Sequence, residues 1–261
     1  MTTTDIPAST SSKLTRRIGF AALVSMAIFL AMALVISPPE VSQRDAVRLF
    51  YLHVPTATIA FYFAPGIVAL GSVMYLWKKS TFWDLAAGAA GELAVLFCAF
   101  TLATGMLWGK PTWGLYWTWE PRLTATAVSF VLFVGYLAVR KLDLDPVIRS
   151  QRAAVLGLVA AANTLLVRYS VQIWKGVHQG TTISPLDMQI TGVMWGTALV
   201  GFGSFTLVFA WLLIHRFRVA WLEHQVAAVG LDRAISERRA EREGVESTNL
   251  PNDVRLTGEG A

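Results

Sequence analysis

The chain has few of the residues on which many protein sites depend. Cys98 is the single cysteine among 261 residues, so no disulfide framework, Cys-x-x-Cys motif or thiolate metal site can form within the chain. Because Cys98 lies inside an apolar block, we interpret it as a small buried hydrophobe. The P-loop sequence Gly-x-x-x-x-Gly-Lys-Ser/Thr is absent, which excludes ATP hydrolysis by that route. Ser/His/Asp and zincin patterns are absent as well.

Charged residues are scarce too, at 15% of the chain, whereas a soluble domain carries roughly a quarter. Of all residues, 54% are hydrophobic, and they are grouped in six blocks, most of which reach the roughly 20 residues needed to cross a bilayer. Lipid offers no partner for backbone polar groups, so each block must be helical. Pro65 predicts a kink in the second block. The sequence predicts an all-α integral membrane protein with six transmembrane helices, at about 18–36, 54–76, 85–107, 123–139, 153–174 and 192–214.

The distribution of Lys and Arg predicts the orientation of these helices. With the N-terminus inside, the inner segments hold 16 of the 22 basic residues, so the positive-inside rule places both termini in the cytoplasm. The first block could instead be a signal peptide, with Ala-Met-Ala at 31–33 as its cleavage site; the segment after it would still lie outside. We divide the chain into a cytoplasmic N-terminal segment, a membrane domain and a charged, partly disordered cytoplasmic tail, at 1–17, 18–215 and 216–261.

Aromatic side chains are concentrated in the predicted outer loop between the third and fourth helices, residues 108–122. Glycine and proline interrupt this stretch, so we predict that it is not a regular helix. Its density of flat rings indicates a platform for a flat apolar ligand. Alternatively, Trp and Tyr are common at membrane interfaces, where they need no ligand. The aromatic residues are Trp108, Trp113, Tyr116, Trp117 and Trp119.

Two of the four histidines share this predicted outer face. His53 opens the second helix and His178 follows the fifth, whereas His215 and His224 lie at the inner end of the last helix and in the tail. Two neutral imidazoles level with an aromatic loop could ligate one iron from opposite sides of a porphyrin. Alternatively, each is an ordinary side chain at a helix end.

Four charged residues have two interpretations each. Arg122 and Lys110 flank the aromatic loop, where they could bind the carboxylates of a haem or anchor lipid headgroups. Glu120 could orient Arg122 or a ring N–H of the loop. Glu92 lies several residues inside the third helix, where an ionisable group is either functional or paired.

The run from Trp108 to Thr124 resembles the tryptophan-rich ("WWD") signature of haem-handling membrane proteins. Over about residues 18–215, the chain resembles the haem exporter protein C family of the system I cytochrome c maturation apparatus. His53, in Leu-His-Val-Pro, and His178, in His-Gln-Gly-Thr-Thr, stand where that family has its two outer histidines. Glu120 stands where the family signature usually has Asp, so its carboxylate reaches one methylene further.

The resemblance implies that haem b is held non-covalently at the periplasmic face of the bacterial inner membrane, with His53 and His178 as the axial iron ligands. It implies a haem-transfer subunit and not a turnover enzyme. The expected partners are a periplasmic haem chaperone, the membrane and ATPase subunits of an ABC transporter, which are called A and B in the maturation system, and a small single-span protein called D. No nucleic acid is expected. The residues expected to bind haem are His53, His178, Trp108, Trp113, Trp117, Trp119, Glu120 and Arg122.

Two alternative functions remain. Haem-handling proteins of the synthetase class resemble this chain around the signature, but they are longer, with more helices and further histidines. A small-molecule transporter would need polar groups near the midplane and discontinuous helices. Helices two to six offer little beyond Glu92, Asn163 and Arg168.

Overall fold

The structure is a computed structural model, and it describes residues 10–41, 43–174, 176, 178, 183–184, 187–188 and 192–248. The described residues belong to two compact units, one that ends at Arg218 and one that begins at Val219. The described part of the second unit is the C-terminal part of the last helix, from Val219 onward. The end of the predicted cytoplasmic tail, 249–261, and most of the predicted N-terminal segment lie outside the described residues.

Helices dominate the described chain. The α-helices are α1 (Lys13–Ala31), α2 (Val47–Thr58), α3 (Ala64–Lys78), α4 (Thr81–Trp113), α5 (Pro121–Val139), α6 (Pro146–Ile173) and α7 (Val193–Thr248). π-Helical turns follow α1 at Met32–Ile36 and α2 at Ile59–Phe63. A short antiparallel pair, β1 (Ile183–Ser184) and β2 (Asp187–Met188), lies between α6 and α7.

Within the described residues, six helical segments are long and apolar enough to cross a membrane, which confirms the predicted fold class. Most of them extend beyond the apolar blocks of the sequence, because polar residues at their ends continue the helix. Their bounds are Lys13–Ile36, Val47–Lys78, Thr81–Trp113, Pro121–Val139, Pro146–Gln172 and Val193–Gly230.

Local sequence signals set where several helices begin. Ser12 caps α1 in a capping box. Glu120 caps α5 and Asp145 caps α6, and in both helices a proline follows the cap at the first helical position. A carboxylate oxygen accepts otherwise unpaired N–H groups there, and proline has no N–H to satisfy.

The second transmembrane segment is interrupted where the sequence predicts a kink. Pro65 has no N–H to donate to the preceding turn, and its ring would crowd a regular helix. The chain forms the π turn Ile59–Phe63 just before it, which widens the helix at this point. The irregularity predicted at Pro65 is therefore a π-helical turn between α2 and α3.

The core of the bundle is apolar and includes buried residues of all seven α-helices. Phe205 of α7 contacts Phe29 edge to face, and Phe209 contacts Phe97 in the same way. Edge-to-face pairs are favourable because the positive ring edge meets the negative face of its neighbour. The largest fully buried side chains include Tyr51, Tyr136, Phe29, Phe133 and Ile59.

Two ion pairs connect α4 to its neighbours. Arg140 donates to both carboxylate oxygens of Asp84, at 2.7 and 2.9 Å, and both side chains are largely buried. Arg216 of α7 donates to Glu92, with a distance of 2.8 Å from its Nη2 atom. Of the two interpretations of Glu92, the structure therefore shows pairing.

Candidate functional site

The bundle contains an apolar cavity that is open to one side. Its volume is about 390 Å³, within the range of roughly 300–1,000 Å³ that is typical of small-molecule sites. A smaller cavity of about 50 Å³ shares several of its walls. Six of the eight residues predicted to bind haem line one or both cavities: His53, His178, Trp108, Trp113, Trp117 and Arg122.

His53 is held in α2 by a hydroxyl group of α4. Its Nδ1 lies 3.1 Å from Oγ1 of Thr104. The Thr104 hydroxyl donates its own proton to the carbonyl of Phe100 at 2.8 Å, so its oxygen accepts the N–H of His53 Nδ1. This arrangement leaves Nε2 of His53 without a proton and available to a metal ion.

A close approach of α2 to α4 makes this contact possible. Gly105 follows Thr104, and a Cβ atom on Gly105 would lie 2.9 Å from Cε1 of His53. Only glycine leaves room for the ring at this position. The position of His53 therefore depends on two neighbouring residues of α4.

Trp108 forms the wall beside His53. Its ring centroid lies 5.6 Å from that of His53 and 5.9 Å from that of Phe50. The indole Nε1 donates to Oε1 of Gln43 at 2.9 Å, so the orientation of the ring is fixed. Gln43 did not stand out in the sequence, because it is 65 residues from its partner.

His178 lies after α6, outside any helix, beside Trp113 and Glu120. The ring centroids of His178 and Trp113 are 4.9 Å apart. Nδ1 of His178 lies 3.2 Å from Oε1 of Glu120, although the ring is not aligned for a directed hydrogen bond. We therefore describe the pair as an electrostatic contact, in which the carboxylate favours a proton on Nδ1 and leaves Nε2 of His178 without one.

Glu120 is fixed in place by its role as the cap of α5. Its Oε1 accepts the N–H of Leu123 at 2.7 Å, and the side chain is 7% exposed. Burial raises the pKa of Glu120, but the His178 ring and the N–H groups at the start of α5 outweigh it, so the pKa lies below its ordinary value. The ionised carboxylate stands against His178, whereas the sequence suggested Arg122 or a ring N–H of the loop as its partner.

The prediction that 108–122 is not helical was wrong for its first part. Helix α4 continues to Trp113 with Pro111 inside it. Gly114 ends the helix with a φ of +78°, and its N–H donates to the carbonyl of Lys110. A left-handed glycine is a common helix end, and Pro111 removes a single backbone hydrogen bond.

The two tryptophans after Gly114 differ in exposure. Trp117 lines the smaller cavity, and its buried Nε1 has no hydrogen-bond partner among the described residues. Such a donor is available to a polar group of a ligand. Trp119 packs edge to face on Trp117, with centroids 5.4 Å apart, but it is 79% exposed and does not line either cavity.

The basic residues also differ from expectation. Lys110 is exposed, donates to the carbonyl of Gly114 at 3.0 Å and lies over the ring of Tyr116, so it does not line the cavity. Arg122 lines the cavity, and so does Arg168 of α6. In the sequence, Arg168 was visible only as a charge near the end of an apolar block.

Several apolar lining residues could have been found from helical spacing. His53, Ala57 and Phe61 recur at intervals of four and therefore share one face of the second segment. The cavity is lined by Ala57 and Phe61, by Tyr62 beside them, and by Phe202 of α7. The sequence alone does not show which face of α7 meets them.

The donor set indicates the kind of metal that would fit. Among the described residues, no group of three or more His, Cys, Asp or Glu side chains could hold a metal ion. A bare ion needs more ligands than two imidazoles supply, since zinc sites take at least three protein ligands. Two histidines at an aromatic cavity instead suit an iron whose other ligands come from a flat macrocycle.

Comparisons with known proteins give the family. The model of the "Heme exporter protein C" family matches residues 2–231. The protein of that name from Haemophilus influenzae is 30% identical over 215 residues, which cover 81% of this chain and 86% of that protein. Its namesake from Bradyrhizobium diazoefficiens is 31% identical over 204 residues, or 76% of each chain.

A ccmC-like mitochondrial protein of cytochrome c biosynthesis from Marchantia polymorpha is also similar. It is 32% identical over 185 residues, which cover 70% of this chain and 76% of that protein. The family match extends over most of the chain and includes every described residue that lines the cavity. The chain therefore belongs to the heme exporter protein C family.

Proposed function

We propose that this chain binds haem b non-covalently between His53 and His178, at the periplasmic face of the inner membrane, and presents it to a periplasmic haem chaperone. Membership of the family indicates a role in haem handling for cytochrome c maturation. The observation that carries the proposal is that both histidines line one aromatic cavity, each with its Nδ1 beside an oxygen atom.

The cavity suits haem as a cargo that must leave again. Its walls are largely apolar and aromatic, so they can bury one face of a poorly soluble macrocycle. The cavity is also open to one side, so an edge of the bound haem would stay accessible to a second protein. Two neutral imidazoles hold iron without a covalent bond to the macrocycle, which keeps the transfer reversible.

The periplasmic orientation is supported by the positive-inside rule, because most Lys and Arg residues fall on the opposite side. The family name indicates a complex with further maturation proteins. We propose that these are the membrane and ATPase components of an ABC transporter, A and B of the maturation system, and the small single-span protein D. In this complex the chain is a binding and transfer component and not an enzyme.

Two of the three polar groups noted within the helices, Asn163 and Glu92, do not favour a transporter, whereas Arg168 lines the cavity. Asn163 donates to the carbonyl of Ala125 and to the hydroxyl of Ser129, at 3.0 and 2.7 Å. Glu92 is paired with Arg216. These groups are bonded to other residues of the chain, whereas a transport path needs polar groups that are available to a substrate.

Visible absorption spectra of the purified protein, oxidised and reduced, test the proposal. We expect a b-type spectrum in the wild type, and its loss or a shift to a five-coordinate form in both His53→Ala and His178→Ala. His215→Ala is the matched control, because His215 bonds to Thr10 at 3.0 Å and does not line the cavity. Unchanged spectra in both ligand variants would refute the assignment, and a colourless protein from haem-replete cells would favour a transporter.

A further inference from the structure

Two arginines line the cavity, and among the described residues neither has an ion-pair partner. Arg122 lies in the first turn of α5, and Arg168 lies near the end of α6. Neither guanidinium makes a hydrogen bond or an ion pair with another described residue. Arg168 lies over the ring of Tyr169, with 5.8 Å between its Cζ and the ring centroid.

Both arginines line the same cavity, and like charges that share a low-dielectric cavity repel each other. Glu120 attracts Arg122, but its Oε1 is bonded to the N–H of Leu123 and faces His178, so it neutralises Arg122 only in part. No described carboxylate forms an ion pair with Arg168. Two repelling cations in a low-dielectric wall are unfavourable unless anions bind beside them.

We infer that Arg122 and Arg168 form a two-point clamp for a flat ligand that carries two carboxylates on one edge, with Arg168 selecting the doubly charged ligand. The inference rests on the proposed function, because haem has two propionates on one edge of an apolar macrocycle. The planar guanidinium group matches a carboxylate through two parallel N–H···O bonds, which lysine cannot make.

The clamp also fixes the orientation of the ligand. Tryptophan rings and axial imidazoles contact the faces and the metal of a macrocycle. They therefore do not determine how the macrocycle is rotated within its own plane. Two cations on one side favour the rotation in which both carboxylates point towards α5 and α6. The opposite edge of the ligand then points away from these helices.

Lipid phosphates offer the same anionic chemistry to arginines near a helix end, so the experiment must separate the two sources. The probes are ferric haem and its dimethyl ester, which lacks both carboxylate charges but keeps the macrocycle and the iron. Each is titrated into the full-length protein in detergent, and the Kd is read from the Soret band. Arg168→Gln is compared with Arg152→Gln, an exposed arginine on the same helix outside the cavity.

We expect the wild type to bind haem at least tenfold more tightly than the ester. Arg168→Gln should weaken haem binding about tenfold and leave the Kd of the ester within twofold, while Arg168→Lys should recover part of the difference. Arg152→Gln should change neither Kd. The six-coordinate spectrum should persist in every variant, which reports that the histidine pair and the fold are intact.

Other results would overturn the clamp. Equal binding of haem and ester by the wild type would show that the carboxylates are not recognised. An unchanged haem Kd in Arg168→Gln would show that this arginine does not recognise the carboxylates, as expected if it contacts lipid phosphate instead. Equal weakening of both ligands would assign it a structural role. A wild type that binds neither probe would refute the proposed function itself, which is a different failure.

Discussion

The two histidines of the cavity are supported in different ways. His53 lies within a transmembrane helix, and its Nδ1 bonds to the neutral hydroxyl of Thr104. His178 lies outside any helix, and its Nδ1 faces the ionised carboxylate of Glu120. A carboxylate beside an imidazole raises the electron density at the other ring nitrogen more than a hydroxyl does. We therefore expect His178 to be the stronger iron ligand of the two.

The two histidines also differ in how their positions are fixed, which is separate from how strongly each would bind iron. The position of His53 is set by helix packing, by the missing Cβ of Gly105 and by the ring of Trp108. The position of His178 depends on one carboxylate that is itself fixed by capping α5. Changes at the two supporting residues, Glu120 and Thr104, should therefore differ in size.

Removing the charge of Glu120 should have the larger effect. Glu120→Gln keeps an oxygen that can cap α5 but loses the negative charge beside His178. Partners of this kind contribute roughly 10–100-fold to metal affinity, so we expect haem loss to apomyoglobin to accelerate by about that factor. The low-spin electron paramagnetic resonance signal of the ferric form should also shift towards that of two neutral imidazoles.

Asp145→Asn is the matched control for Glu120→Gln. Asp145 caps α6 in the same way, by accepting the N–H groups of Val147 and Ile148, but it does not line the cavity. Both variants lose one cap charge, so Asp145→Asn controls for the loss of that charge, although Asp145 is exposed and Glu120 is buried. If both accelerate haem loss equally, Glu120 acts through folding and the proposed difference between the histidines fails.

The helices could be predicted from the sequence, whereas the contacts that hold His53 and Trp108 in place could not. Six apolar blocks gave six membrane segments, because each segment needs only its own residues to satisfy its backbone. Both histidines and four of the other candidates line the same pair of cavities. Their supports could not be predicted, since Thr104 and Gln43 are 51 and 65 residues from the side chains that they hold, and no local pattern encodes such pairs.

The errors at the tryptophan-rich segment also have physical reasons. Pro111 suggested a break, but a helix can lose one hydrogen bond where its neighbours hold it, and it ends three residues later at Gly114. Trp119 belongs to the motif but is mostly exposed, because Trp117 occupies the position beside the cavity. A motif shows which residues occur together, and the backbone decides which of them face the ligand.

Removing the hydroxyl beside His53 should have a smaller effect than removing the charge beside His178. Thr104→Val keeps the shape of the side chain but deletes the acceptor of the Nδ1–H. A neutral hydrogen bond contributes about 1 kcal/mol, so we expect haem loss to accelerate about three- to tenfold. The same apomyoglobin assay measures this change.

Thr197→Val is the control for this variant. Thr197 is fully buried in α7 and bonds to the carbonyl of Val193 at 2.8 Å, as Thr104 bonds to that of Phe100, but it forms no hydrogen bond with a described histidine. It should leave haem loss unchanged. An effect of Thr104→Val as large as that of Glu120→Gln would mean that the two histidines are supported equally, which contradicts the comparison.

The substitution with the smallest expected effect tests whether the length of the Glu120 side chain matters. Glu120→Asp keeps the charge and shortens the side chain by one methylene. The shorter side chain can still cap α5, since aspartate is a preferred cap, but its oxygen should lie further from His178. We expect haem loss to accelerate less than threefold, with little change in the resonance signal. A change as large as that of Glu120→Gln would show that distance, and not charge alone, sets the strength of His178 as a ligand.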